Sequence, residues 1–321
     1  MHLTPHRLSS IRCLLLIVIM AWITGCRPSP GVPTPVAHRS ATATSPAGSI
    51  PTPITVPGEP LAARVNGMPI YLAEYQKQVA EWEAAFSSQN VGLSEADRQA
   101  MIAQGRQQVL QVMIEQVLIE QAAAQAGIVV SDQDVQAAIA RDIQENGGQA
   151  RFDAWLQANN WTAQEYEARQ RSMMIASKMF EHVTRDVPTR AEQVHARHIL
   201  VADEQEARNI LAQLQGGADF GALAAQYSLD PSTKESGGDL GFFPRGTLVV
   251  PEVEEAAFTL GVGQISDVIT SAMGYHIVQV LERVSDMALT EESWQALKES
   301  TFRRWLSGLW DTAQIEILVS P

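Results

Sequence analysis

The spacing of apolar positions changes several times along this chain, and each change marks a boundary. Cys13 to Ile23 is one unbroken apolar run, too short to span a bilayer as a finished helix. From Arg27 to Pro60 large apolar residues almost vanish, so that stretch cannot bury a core. Leu61 to Val65 restores a short apolar run and meets Asn66-Gly67, a turn signal that predicts a strand and then a helix. The period then becomes three and four. Val109, Leu110, Met113, Ile114, Val117 and Leu118 mark one helix face, extending to Ala126 and stopping at Gly127. Ser131 ahead of Val135 and Ile139 predicts an N-cap, and Thr162 with Glu165 has capping-box spacing before a helix toward Val183. Val194 to Val201 and Tyr275 to Arg283 predict strands, the second apolar on both faces through Ile277, Val278, Val280 and Leu281. Thr290 to Thr312 reads as an amphipathic helix carrying Trp294, Leu297, Phe302, Trp305, Leu306 and Leu309, and Ile315 to Val319 as a strand.

Composition adds the compartment. With 321 residues, 45% of them hydrophobic, the chain holds real cores and room for two domains. Its 36 acidic residues outnumber 23 basic ones, a poor match for a polyanion, so no nucleic-acid partner is expected. His2, His6, Arg7 and Arg12 precede the first apolar run, giving residues 1–25 the order of an export signal. The run ends in Ile23-Thr24-Gly25-Cys26, which resembles a lipobox and makes Cys26 the expected lipid anchor. Cys13 leaves with the signal, so the mature chain keeps one cysteine and forms no internal disulfide. Residues 26–60 hold nine of the sixteen prolines, a composition that favours an extended stalk. The expected location is the extracytoplasmic face of a membrane, or a periplasm.

Four separated blocks carry the clearest resemblance. They are Ala196-Arg-His-Ile-Leu-Val201, Tyr227-Ser-Leu-Asp-Pro231, Gly237-Gly-Asp-Leu-Gly-Phe-Phe243 and Gly274-Tyr-His-Ile-Val-Gln-Val280. In that order, over roughly ninety residues, they resemble a parvulin, a peptidyl-prolyl isomerase. Val65-Asn66-Gly67 and Gly127-Ile-Val-Val-Ser-Asp-Gln-Asp-Val135 resemble, more loosely, the N-terminal domain of SurA- and PrsA-type foldases. The resemblance implies an α+β protein: a helical chaperone module over residues 61–189, and an antiparallel four-stranded parvulin sheet flanked by helices over 190–286. Residues 287–321 would return to the first module, the last strand pairing near Ala63 to Val65.

Rotation about an Xaa-Pro bond faces a barrier of about 18–20 kcal/mol from amide resonance, and no bond has to break. A site that excludes water and favours the twisted amide is sufficient, so neither metal, nucleotide nor other cofactor is expected. The resemblance implies that His198 and His276 lie side by side beneath the site, hydrogen-bonded to each other; the alternative is two core histidines that only stabilise the sheet. Asp230 is the acidic candidate, set against its reading as an ordinary Asp-Pro-Ser-Thr turn. A proline pocket would be built from Leu240, Leu248 or Val249, Val253 and Phe258, with Ser271 at its rim. Relatives carry methionine near Leu248 and phenylalanine at Val253, and here an extra residue stands between Gly246 and Pro251. A valine offers a pyrrolidine ring less area than a phenyl group. Asp203-Glu204-Gln205-Glu206 would repel a phosphorylated residue, which implies unphosphorylated substrates. His182 and His195 read as surface or packing residues, and Gly216-Gly217 and Gly237-Gly238 as punctuation without a phosphate-binding context.

Phe152, Trp155, Trp161, Tyr166, Met173, Met174 and Met179 read mainly as helix packing, the alternative being an adaptable apolar surface for clients. Two functions follow. One is a lipid-anchored isomerase whose helical module captures exported, proline-containing chains. The other is a holdase whose parvulin region only binds or spaces them.

Overall fold

The computed structural model describes residues 58–89 and 92–319, so the expected export signal, the expected anchor Cys26 and most of the proline-rich stretch lie outside the described residues. The chain divides into two units: one of residues 1–180 and 309–321, the other of 181–308, which is an insertion in the sequence of the first. Together they make an α+β protein, with a helical unit and an antiparallel four-stranded sheet in the inserted one.

In the first unit, strand β1 (Leu61–Val65) turns at Asn66-Gly67 into strand β2 (Met68–Tyr71). The sequence predicts one strand and a helix; the structure is a hairpin followed by helix α1 (Leu72–Gln89). The reason lies in the turn. Asn66 and Gly67 both adopt positive φ, 49° and 85°, the twist that a two-residue hairpin requires and that these two residue types tolerate. The last strand of the chain, Ile315–Ile317, pairs antiparallel with β1, placing Ala63 opposite Ile317 and Val65 opposite Ile315. Asn66 secures all three pieces. Its amide donates to Gln121 Oε1 at 2.8 Å and its carbonyl oxygen accepts the Gln314 N–H at 2.8 Å, while Gln121 reaches the Val65 carbonyl at 3.0 Å.

The helices end where the sequence says they should. Helix α2 (Glu95–Gln125) buries Val109, Leu110, Met113, Ile114 and Leu118 and stops at Gly127, whose φ of 68° lets Ile128 N–H turn back to the Ala123 carbonyl at 2.9 Å. Ser131 and Asp134 form a reciprocal capping box on helix α3 (Asp132–Glu145). Helix α4 covers Gln149–Ala158, and the Thr162–Glu165 pair caps helix α5 (Ala163–Thr184) in the same way. Phe152 and Met179 are core, and Tyr166 packs edge-on against Phe152 while its hydroxyl donates to Asp142. Trp155 is the exception, 47% exposed.

The second unit is built on strands β3 (Arg190–Val201), β4 (Asp239–Pro244), β5 (Ile269–Ser271) and β6 (Gly274–Ala288), in the order β4-β3-β6-β5 and all antiparallel. One sheet face, with Ile199, Val201 and Ile277, packs on helices α6 (Glu204–Gln215) and α7 (Phe220–Tyr227) through Ile210, Leu214, Phe220 and Leu223. The opposite face, with Val194, Ala196, Val278 and Val280, packs on helix α8 (Pro251–Thr259) through Val253, Ala257 and Phe258. This two-sided burial is why Ile277 to Leu281 of β6 reads as a nearly continuous apolar run. Helix α9 (Glu291–Thr312) carries the chain out of this unit to the last strand, β7.

Candidate active site

Sheet register brings the two motif histidines together. His198 is opposite Val278 and Leu200 is opposite His276, so the imidazoles are diagonal neighbours on the face that carries helix α8. Their rings stack with centroids 5.7 Å apart and planes inclined by 20°. His198 is 7% exposed and His276 fully buried. No hydrogen bond joins them, contrary to the expectation from sequence: Nδ1 of each ring is buried without a hydrogen-bond partner. Both rings use Nε2 instead, each turned outward to a partner of its own.

For His198 that partner is Asp230, whose Oδ2 is 2.8 Å from Nε2. Thr233 Oγ1 donates to the same Oδ2 at 2.6 Å and lies 3.2 Å from the same Nε2. Ser232 supplies the other carboxylate oxygen with its N–H at 3.0 Å and its hydroxyl at 2.6 Å. Burial pushes the Asp230 carboxyl up, but hydrogen bonds from Ser232, Thr233 and His198 outweigh it and hold the group well below the usual carboxylate range. An ionised Asp230 can only accept, so His198 Nε2 carries hydrogen. The turn reading and the site reading of Asp230 are therefore both true: Oδ1 caps the Pro231-Ser232 turn and Oδ2 faces the histidine. Gly238 closes the arrangement, receiving the His198 N–H at 2.9 Å and donating its own to the Thr233 carbonyl at 2.9 Å.

His276 Nε2 is 2.8 Å from Ser271 Oγ, which also accepts the Met273 N–H at 3.0 Å. Burial first, and then the neighbouring His198, bring the His276 pKa down to about 4, so this ring is neutral at physiological pH.

Leu240, Leu248, Val253 and Phe258 all belong to the apolar cluster on this face, joined by Ile269, which sits opposite His276 on β5. The cluster divides by depth: Val253 and Phe258 are 2% and 5% exposed and serve as core, whereas Leu240 and Leu248 are half-buried. Of the alternatives Leu248 and Val249, the structure puts Leu248 in the cluster and leaves Val249 at 89% exposure. The cause is Glu254, whose carboxylate accepts the N–H groups of Gly246, Thr247 and Leu248 at 2.8, 3.0 and 3.1 Å, so that the loop folds over helix α8 and turns Val249 outward. His195 bonds Asp239 at 2.7 Å and lies against Phe242, a packing role, and His182 is exposed. Sequence reasoning missed Thr233, Ile269 and Glu254. Only Thr233 carried a local signal, its place three residues after an aspartate in a turn.

Among the described residues no group of three or more His, Cys, Asp or Glu side chains could hold a metal ion. The chemistry on offer is a fixed carboxylate, a neutral imidazole and an imidazole whose Nε2–H faces that carboxylate, all beside apolar surface.

A family model described as a SurA-like N-terminal domain matches residues 47–180, and one described as a PPIC-type PPIASE domain matches residues 177–284. The foldase protein PrsA of Caldanaerobacter subterraneus subsp. tengcongensis is 34% identical over 238 residues, which is 68% of this chain and 72% of that protein. The foldase protein PrsA of Halalkalibacterium halodurans is 46% identical over 100 residues, a match that spans 30% of that protein. Among solved structures, the peptidylprolyl isomerase PrsA of Bacillus anthracis is 29% identical with a TM-score of 0.49, over 63% of this chain and 94% of that one.

Proposed function

Because this chain belongs to the PrsA foldase family and carries a parvulin-type peptidyl-prolyl isomerase domain, we propose that it is a lipid-anchored, extracytoplasmic foldase. Its inserted unit isomerises Xaa-Pro bonds in exported polypeptides while its helical unit acts as a chaperone. The observation that carries the catalytic part is the saturation of Asp230: four donors converge on its two oxygens, from Ser232 twice, Thr233 and His198. A carboxylate has about four lone-pair sites. With all of them occupied, Asp230 is unsuited to serve as nucleophile or general base and acts as a fixed negative charge.

A fixed negative charge is what amide rotation can use. Resonance places negative charge on the carbonyl oxygen and flattens the C–N bond. A client carbonyl held against Asp230 loses part of that resonance, and the twisted amide, which has little of it, is favoured over the planar one. The prolyl ring would rest on Leu240, Leu248 and Ile269, above the core residues Val253 and Phe258. His276, neutral, and Ser271 would line the opposite edge without bringing a second charge into the site.

Anchoring rests on the order of basic residues, apolar run and Ile23-Thr24-Gly25-Cys26, and among the described residues no helix is long and apolar enough to cross a membrane. Cys26→Ser should move the protein from the membrane fraction to the soluble one. For the activity, residues 61–321 should accelerate the proline-limited phase of a client's refolding, and Asp230→Ala should remove most of that acceleration. Suppressed aggregation with no acceleration would leave only a holdase.

A further inference from the structure

The loop that joins β4 to helix α8 is gripped from two sides. On the inner side, Arg245 pairs with Glu255 at 2.8 Å and holds its guanidinium carbon 4.4 Å from the centre of the Phe258 ring, and the Thr247 hydroxyl donates to the Pro244 carbonyl at 2.9 Å. Glu254 accepts the next three amides, those of Gly246, Thr247 and Leu248. On the outer side, Gly246 has a φ of 88°, and a Cβ built there would lie 3.2 Å from Arg304 Nη2 and 3.5 Å from both Leu297 Cδ1 and Ser300 Oγ. Leu297, Ser300 and Arg304 are spaced three and four apart, on one face of helix α9. That helix lies beyond residue 284, where the PPIC-type match ends.

Leu248 is the residue that this grip places. It is half-buried and belongs to the cluster of Leu240, Val253, Phe258 and Ile269, whereas Val249, one position past the last amide that Glu254 holds, is 89% exposed. Valine at position 253 offers a pyrrolidine ring little area, so more of the contact falls to Leu248. A side chain on a loop makes a firm wall only when the loop is ordered before the ligand arrives, because ordering it on binding subtracts from affinity.

We propose that Glu254 is a positioning residue of the isomerase and helix α9 its outer support: between them they fix the 245–250 loop so that Leu248 stands ready against the prolyl ring. The proposal rests on the isomerase reading above. Glu254 touches no client and acts through Leu248. The functional site then extends to Arg304, well past the parvulin-like region. The prolyl ring rests on this wall in the planar and the twisted amide alike, so the grip contributes to binding and leaves the barrier to rotation as it is.

The test measures kcat and KM separately on the full chain, by exchange NMR over a range of concentrations of the peptide Ala-Leu-Pro-Phe. Glu254→Gln keeps the side-chain shape but replaces one accepting oxygen with an amide nitrogen that cannot accept. It should raise KM about ten-fold, the scale of one lost apolar contact, and leave kcat within about two-fold. Leu248→Ala should do the same, and the double variant should be no worse than Leu248→Ala, because both act through one side chain. Leu297→Ala combined with Arg304→Ala should raise KM in the same direction, a reading that also serves if Glu254→Gln does not fold. An unchanged KM in Glu254→Gln or in the α9 variant, a fall confined to kcat, or effects that multiply in the double variant would overturn the proposal while leaving the isomerase intact. A wild type that accelerates no prolyl peptide overturns both.

Discussion

Replacing Thr233 by valine preserves side-chain shape and removes one hydroxyl at the point where Asp230 and His198 meet. That hydroxyl donates to Asp230 Oδ2 at 2.6 Å and lies 3.2 Å from His198 Nε2, on a residue that is 7% exposed. A hydrogen bond to a charged group contributes about 1.5–3 kcal/mol, and a methyl group at this depth leaves no room for water to replace it. The inserted unit should therefore lose about 2 kcal/mol at pH 7. Its pH dependence gives an independent check. Burial raises the Asp230 carboxyl, but the hydrogen bonds from Ser232, Thr233 and His198 outweigh it, so the folded pKa lies below the unfolded one of about 3.9. A carboxyl of that kind stabilises the fold above the unfolded pKa and loses its contribution as pH falls toward the folded value. The gap between wild type and Thr233→Val should hold while Asp230 is ionised in both folded forms and close only as pH falls through the variant's own folded pKa, because the unfolded state is common to both. Urea unfolding at pH 7 and pH 5 measures the plateau, exchange NMR on a prolyl peptide should show kcat/KM reduced about ten-fold, and Thr233→Ser should restore both. A gap under about 0.5 kcal/mol at pH 7, or one that already narrows between pH 7 and pH 5, would refute the reasoning.

Three further outcomes can be checked. Burial and His198 lower the His276 pKa to about 4. The unfolded chain thus takes up that proton first, and stability should fall by about 1.4 kcal/mol per pH unit as pH drops from about 6.5 toward 4; the slope should vanish in His276→Asn. Gly238→Ala should cost more than about 3 kcal/mol, because φ is 85° and the new Cβ would lie 2.1 Å from the His198 carbonyl oxygen; a normally folded variant by circular dichroism with an unchanged melting curve contradicts this. Asn66→Ala should destabilise the first unit by about 2–3 kcal/mol, through two lost hydrogen bonds and a left-handed backbone position that alanine disfavours, read by thermal unfolding.

Much of the site was legible because its residues sit in blocks whose order and spacing survive as text. His198, Asp230, Leu240 and His276 lie within those blocks and Ser271 just ahead of the last, and the structure brings them to one sheet face and its rim. What escaped was the set of partners. The choice between Leu248 and Val249 depended on Glu254 gathering three backbone N–H groups, and no local pattern announces such a contact.

Taken alone, the amino-acid order decided the matters that a few neighbouring residues can settle: the stop at Gly127, the caps at Ser131 and Thr162, the alternation of helical and extended segments, and the Asn66-Gly67 turn. Those depend on propensities and hydrogen bonds within one turn of chain. Tertiary structure decided how the imidazoles meet, which oxygen of Asp230 faces which donor, and that Asn66 holds a helix and the last strand as well as its own hairpin. These are contacts between residues tens to hundreds of positions apart, and the chain acquires them only when sheet register and burial are complete.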